Sequence, residues 1–366
     1  MYVPRTARQI ALFAVVFVEA AVVLALEGYV FGKFQYNINS KISSEQRRSS
    51  NTVAIPTYLA LFIFGEVYQL AMTYDALRLK NTIQVIGLCI FNVALLVYAG
   101  IQFEQIKVAV QFLSTWALDD DSGSFVLDSS AWGEMRPTLI AIIGVLGVVT
   151  FVMVYICYQL YAEFGWSIYK QIGAGFDMRR RYLAYQIFIS LLKFDAFFFL
   201  GFTVQFCVII LNRKDVEFGL TIAVIPCTVV ALFLTQFAVR HERKWITGCM
   251  FLVFLAGMAY FMFKLIRMYQ PSQESKYVSA RKSLTVFAAI TLFLILVSEI
   301  NMIVCARNFD KGLKPYIASH SSLGKRLRIS NLSPAADDTE KFDDVDNGAQ
   351  FYSPTSPNRK RRFSLD

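Results

Sequence analysis

The chain carries repeated stretches of about twenty predominantly apolar residues, and these constrain its fold more than any other feature. A hydrocarbon core ~30 Å thick is crossed by about 20 residues of α-helix. Unpaired backbone groups in hydrocarbon cost several kcal/mol each, and apolar stretches of this length without polar alternation are not strands. We therefore predict an all-α, polytopic transmembrane helical bundle of about eight spans. The predicted spans are residues 10–31, 53–72, 82–103, 139–161, 183–211, 218–239, 246–266 and 284–305.

Composition agrees with this class. Of 366 residues, 56% are hydrophobic and 17% are charged, whereas about a quarter are charged in a typical soluble domain. The formal net charge is +9, but the basic residues lie in short loops and near the C-terminus. We therefore expect the lipid bilayer, including anionic lipids, as the partner of these residues, and no nucleic acid.

Signatures of catalysis and of metal binding are missing from the sequence. The six cysteines fall in apolar stretches without a CxxC pair, which predicts free thiols and no metal site. The two histidines, His241 and His320, lie in a loop and near the C-terminus. Because no P-loop or nucleophile elbow occurs either, we predict no catalytic residues and no cofactor.

Three segments divide the chain: a short cytosolic N-terminus (1–9), the helical bundle (10–305) and a disordered, basic cytosolic tail (306–366). The first apolar stretch is longer than the core of a signal peptide, which favours an uncleaved helix over cleavage near Ala20. The tail is rich in Pro, Ser, Asp and Lys, a composition that buries too little apolar surface to fold.

Three serines of this tail match kinase sites. Ser353 and Ser356 each precede a proline, and Ser364 follows a basic run that ends at Arg362. Cytosolic kinases are therefore expected partners, and phosphorylation of these serines would add negative charge beside the basic run. A small excess of basic residues on the side of the termini also favours a cytosolic location for both ends.

Ionisable residues inside the apolar stretches are the candidate functional group. A charge at the bilayer centre costs at least ~2.5 kcal/mol on insertion scales, so such residues usually face the bundle interior. At 1.5 Å per residue they could share a layer about 10 Å thick, in which one lysine neutralises one of four carboxylates, and the surplus acids hold a proton or a cation. The members of this predicted intramembrane charge network are Glu19, Glu66, Lys193, Asp195 and Glu299.

Lys193 and Asp195 are two residues apart and therefore point about 200° away from each other on a helix. Each then needs a partner on another helix, and Glu66 and Glu299 are the candidates for Lys193. The pairs either fix helix packing, couple to an ion or proton, or sense a ligand. Separately, the loop residues Arg179, Arg180 and Arg181 are predicted to contact anionic lipid headgroups.

Several motifs place polar residues in apolar settings. They are FGEVYQL at 64–70, YDALRLKNTIQ at 74–84, FGWSIYKQIGA at 164–174, MRRRY at 178–182, LLKFD at 191–195 and DVEFGLT at 215–221. With these motifs the chain resembles a fungal family of uncharacterised multi-pass Golgi apparatus membrane proteins over residues 10–310. The resemblance implies a Golgi location and several spans. It implies no catalytic residue.

Three functional hypotheses follow. The first is a non-enzymatic endomembrane component with a structural, trafficking or sensing role and a phosphorylated tail. The second is a secondary transporter coupled through the intramembrane carboxylates, since transporters place such sites near the midplane. The third is a seven-helix receptor with a cleaved first segment.

Topology is directly testable. Eight spans return the chain to its starting side, so reporters fused at Tyr2 and at Asp366 should both be cytosolic. Reporters on opposite sides would show that the number of spans is odd, and two lumenal reporters would show that the orientation is reversed.

Overall fold

The computed structural model describes residues 6–38, 50–115, 127, 130–172, 176–210, 216–270 and 280–311. Within these ranges the chain forms eight helices that are long and apolar enough to cross a membrane, which confirms the predicted all-α polytopic bundle. Their bounds are α1 Ala7–Asn37, α2 Ser50–Leu79, α3 Thr82–Thr115, α4 Ala131–Ile172, α5 Phe176–Gln205, α6 Val216–Arg240, α7 Lys244–Met268 and α8 Arg281–Arg307. A π-helical turn, Phe206–Ile210, continues α5.

The helices extend beyond the apolar stretches that predicted them. The second predicted span ended at residue 72, whereas α2 continues to Leu79. Helical hydrogen bonding persists through polar residues near the membrane surface, so hydropathy alone ends a helix too early. This extension places Asp75 on a membrane helix. The predicted tail lies outside the described residues from position 312 onward.

Local capping explains the tight connection between α2 and α3. Lys80 has a φ of 49°, which is the left-handed conformation that ends many helices. The Asn81 side chain then accepts hydrogen bonds from the backbone N–H groups of Ile83 at 3.1 Å and Gln84 at 3.3 Å. An asparagine in this position satisfies two donors at the start of α3.

The helices pack as two groups of four. In the first group α1, α2, α3 and α4 contact one another in sequence and α4 returns to α1, whereas α5, α6, α7 and α8 form a second ring in the same way. Contacts of α5 with α2 and α3 join the groups. Short connections between antiparallel neighbours favour this arrangement.

Both ends of the bundle lie on one side, called here the terminal side. Thr6, before α1, donates to Glu163 near the end of α4 at 2.9 Å. After α8, the backbone N–H of Asp310 donates to Glu242 in the α6–α7 turn at 3.0 Å. The end of α3 and the start of α4 lie on the other side, called here the distal side.

Phenylalanine rings fill glycine gaps where the two groups meet. The ring centroid of Phe197 on α5 lies 4.7 Å from that of Phe91 on α3 and 5.4 Å from that of Phe64 on α2. A Cβ added at Gly87 of α3 would overlap the Phe194 ring of α5, and one added at Gly65 of α2 would lie 3.4 Å from the Phe197 ring. Small residues let membrane helices approach closely, so these glycines set the spacing of the two groups.

Substitution of Gly87 tests this packing. Gly87→Ala should lower the free energy of unfolding in detergent by about 1–3 kcal/mol, because the new methyl group overpacks the Phe194 contact. Gly144→Ala is the matched control, since a Cβ at this helical position meets no atom within 4 Å. Its expected effect is neutral or slightly stabilising. Equal stability of the two variants would contradict the proposed close approach.

Candidate functional site

The buried stripe of α1 carries two carboxyl groups. Its buried residues recur every three or four positions, as expected for the face of a helix that packs against a bundle. Glu19 is 1% exposed and Glu27 is fully buried on this stripe. They are eight residues apart, which is about 12 Å along the helix axis.

Glu19 lies in a polar layer to which all four helices of the first group contribute. Gln69 of α2 donates its side-chain N–H to Glu19 at 3.2 Å and also approaches the sulfur of Met153 on α4 at 3.8 Å. Asn92 of α3 donates to Thr150 of α4 at 3.4 Å and to the Met153 sulfur at 3.3 Å. The layer therefore crosses the whole interior of the group.

A second layer surrounds Glu27. Gln102 of α3 donates its side-chain N–H to both carboxyl oxygens of Glu27, each at 3.1 Å. Asn92 and Gln102 are ten residues apart on α3, or about 15 Å, which agrees with the spacing of the two glutamates on α1.

Glu66 lies between these layers. It is one turn from Gln69 on α2, toward the distal side, because α2 runs antiparallel to α1. Three residues along α2 correspond to about 4.5 Å, which is less than the separation of about 12 Å between Glu19 and Glu27 on α1. It is fully buried, and neither of its oxygens has a hydrogen-bond partner among the described residues.

We call the set of Glu19, Glu27 and Glu66, with Gln69, Asn92 and Gln102, the acidic column. Five of these six side chains have at least one buried oxygen without a partner in the described part of the chain. The exception is Glu27, whose two oxygens both accept from Gln102. No lysine, arginine or histidine of the described ranges forms an ion pair with the three carboxyls. The column is rich in acceptors and poor in donors, which suits a proton or a cation.

Polar groups also lie at both ends of the first helical group. On the terminal side, Glu163 accepts from Thr6 and from the Gln9 side chain, both at 2.9 Å. On the distal side, Glu134 pairs with Lys33 at 3.2 Å and accepts from Asn37 at 3.2 Å. The column is thus flanked by a carboxyl group near each membrane surface.

Lys193 has a different partner from the two that the sequence suggested. Its ammonium pairs with Asp75 of α2 and also donates to Gln84 of α3 at 3.0 Å. Gln84 in turn donates to Asp75 at 3.2 Å. The expectation that Glu66 or Glu299 is the partner is therefore wrong, because it treated α2 as ending before Asp75.

The remaining two candidates lie in the second helical group. Asp195 of α5 accepts from Ser298 of α8 at 2.6 Å, and Asp195 is 3% exposed. Glu299 of α8 is 5% exposed, with one oxygen unpartnered within the described ranges. The five predicted residues thus divide between the acidic column, the junction of α2, α3 and α5, and the α5–α8 contact.

The predicted headgroup contacts lie at the start of α5. Arg179 and Arg180 are exposed, and Arg181 donates to the backbone carbonyl of Lys311 at 2.7 Å. Lipid contact by these arginines stays a prediction. Ser353, Ser356 and Ser364 lie outside the described residues.

Sequence reasoning missed Glu27, Asp75 and the three amides of the column. Glu27 follows Glu19 on a stripe with spacings of three and four residues, so the helical period was an available signal. Amides carry no charge, and nothing in hydropathy distinguishes a buried glutamine from an exposed one. Their roles emerged only from packing.

These features define an integral membrane protein that has eight membrane-length helices in its described ranges and, within the same ranges, carboxyl groups without a basic partner in its interior. The chain is 33% identical over 326 residues to a UPF0658 Golgi apparatus membrane protein of Schizosaccharomyces pombe, which covers 86% of this chain and 90% of the relative. It therefore belongs to the UPF0658 family and is a multi-pass protein of the Golgi apparatus membrane, as the resemblance implied. No family model matches the chain. No solved structure matches it either.

The Lys193–Asp75 pair can be tested by a double-mutant cycle. Lys193→Met should lower the free energy of unfolding by about 2 kcal/mol, because it leaves a carboxylate unpaired at a partly buried site. Asp75→Asn in the same chain should restore part of this loss. The control combination, Lys193→Met with Glu66→Gln, should be additive within about 0.5 kcal/mol. Coupling to Glu66 instead of Asp75 would refute the assignment.

Proposed function

We propose that this Golgi membrane protein moves protons along the acidic column, as the coupling step of a secondary transporter. The observation that carries the proposal is the position of Glu66, a fully buried carboxyl between Glu19 and Glu27. Neither oxygen of Glu66 has a partner among the described residues. Ionisable groups inside membrane bundles typically mark ion pathways and proton relays.

The vertical spacing of the column suits a relay. Glu19 and Glu27 are separated by about 12 Å along α1, and Glu66 lies at an intermediate depth. A proton that reaches Glu66 from one glutamate can therefore leave toward the other. Unpaired oxygens on Gln69, Asn92 and Gln102 offer hydrogen-bond acceptors for a protonated carboxyl or for water along this route.

A proton fits this site better than a multiply coordinated metal ion. Within the described ranges no three Asp, Glu, His or Cys side chains lie close enough together to hold a metal. Divalent ions such as Ca²⁺ take six to eight oxygen ligands in one shell. A proton needs only one carboxyl at a time, and the separated glutamates of the column provide this.

Apolar residues close the column toward each surface. Leu12 and Val16 are fully buried on α1 between Gln9 and Glu19, and Val30 lies beyond Glu27. With such seals the column is a gated path and not an open pore, so the rate of proton flux is limited by the opening of the seals. Alternating access would open the two seals in turn.

A second candidate is a non-enzymatic structural, trafficking or sensing component. The contacts of Lys193 with Asp75 and Gln84 favour it, since these side chains satisfy one another and join the two helical groups. Under this hypothesis the buried polar residues specify packing. Both candidates are non-enzymatic. Headgroup binding by Arg179, Arg180 and Arg181 and phosphorylation of the C-terminal serines by cytosolic kinases belong to either proposal.

Proton flux separates the two candidates. Purified protein in liposomes with an internal pH-sensitive dye should carry protons down an imposed gradient well above the rate in empty liposomes. Glu66→Gln should lower this flux at least tenfold, because the glutamine amide does not take up and release a proton near neutral pH. Glu299→Gln is the matched control, a buried carboxyl outside the column, and it should retain the flux.

The structural candidate makes the opposite prediction. Wild-type flux equal to that of empty liposomes would overturn the transport proposal, as would a Glu66→Gln variant with full flux. In the structural case a Glu66→Gln chain that elutes as a folded species in size-exclusion chromatography should also retain its cellular role.

A further inference from the structure

A cavity of about 280 Å³ lies among α5, α6, α7 and α8, apart from the acidic column. This volume is near the lower end of the range for ligand-binding sites. Most of its wall is apolar, and Asp195 of α5 is the one carboxyl in it. Phe199 of α5, Cys227 of α6 and Gly257 of α7 also line the cavity.

Asp195 lines this cavity with a carboxyl group that accepts one hydrogen bond. One carboxyl oxygen accepts from Ser298, whereas the other is buried without a hydrogen-bond partner among the described residues. In the same ranges no lysine, arginine or histidine forms an ion pair with it. A buried carboxylate with a single hydrogen bond is unfavourable, so a further donor or a positive charge would stabilise it.

The two threonine hydroxyls of the wall do not supply this donor. Thr228 donates to the backbone carbonyl of Val224 at 2.9 Å, and Thr291 donates to that of Phe287 at 2.7 Å. Both threonine protons are thus used within their own helices. Because no basic side chain of the described ranges pairs with Asp195 either, a cationic molecule in the cavity would stabilise this carboxyl group.

The cavity is accessible from the outer face of the bundle. Cys227 on α6 and Val253 and Ala256 on α7 line it and are exposed. In a membrane this face meets acyl chains. Among the eight spans, α6 and α7 are the two least covered by the rest of the bundle. A ligand that enters between α6 and α7 must therefore be soluble in the hydrocarbon region.

We propose that this cavity binds a long-chain primary amine. The ammonium group lies against the Asp195 carboxyl group and provides the opposite charge, while the alkyl chain occupies the apolar space and leaves between α6 and α7. An amine is favoured over an alcohol because it supplies both the hydrogen bond and the counter-charge. The Phe199 ring in the wall adds a favourable surface for a cation.

The site is independent of proton movement through α1 to α4, so binding is expected even if the proposed transport is absent. The experiment uses the purified full chain in detergent and dodecylamine that carries a diazirine in its alkyl chain. After illumination, mass spectrometry should find the probe on α6 and α7 segments that line the cavity, residues 224–232 and 253–260. Excess unmodified dodecylamine should remove this labelling.

Two variants and one matched probe decide the outcome. Asp195→Asn should lower the labelling at least tenfold, whereas Glu299→Gln should leave it unchanged. Gly257→Leu should also block labelling by filling the cavity, and the space around this glycine accepts a side chain, since a Cβ there meets no atom within 4 Å. This second variant keeps Asp195 intact, so it tests the site even if Asp195→Asn fails to fold.

The corresponding dodecanol probe should label these segments at least tenfold less. Equal labelling by the alcohol would overturn the assignment of an amine, because charge would then contribute nothing. Labelling that persists in Gly257→Leu, or that falls on other helices, would overturn the site itself.

Discussion

The contact of α5 with α2 and α3 is the interaction on which the rest of the structure depends. Two rings of four helices have few other reasons to associate, because lipid is as apolar as their outer surfaces. At this contact phenylalanine rings enter the space left by Gly65 and Gly87, and Lys193 meets Asp75. Close packing and a partly buried ion pair thus act at the same junction.

The two groups treat their polar residues differently once this junction is made. In the first group, three carboxyls lie in the interior, and within the described ranges two of them accept from amides and none is bound to a basic residue. At the junction the charges are paired. This difference between the interior and the junction is what supports the proposed role of the acids in proton movement. Asp195 of α5 is a second, separate carboxyl with one oxygen that has no donor among the described residues.

The fold class, the number of spans and the buried ionisable residues were predictable from the sequence because the bilayer is an apolar solvent. Apolar stretches of sufficient length must be helices, since hydrocarbon offers no partner for the backbone, and this requirement predicted the fold class and the number of spans. It also drew attention to Glu19, Glu66, Lys193, Asp195 and Glu299, because ionisable residues are costly there. Motifs such as LLKFD at 191–195 were sufficient to indicate the family.

Which of those residues meet was decided by tertiary structure alone. Lys193 is bound to Asp75 because the turn at Lys80 and Asn81 returns the chain beside α2, and both helices then face α5. Glu27 joined the column because Gln102 lies at its depth on another helix. The sequence by itself therefore determined the eight helices and the cost of every buried charge, since both depend on local composition in a uniform solvent. Pairing depends on helix rotation and depth, which are set by contacts between residues far apart in the chain.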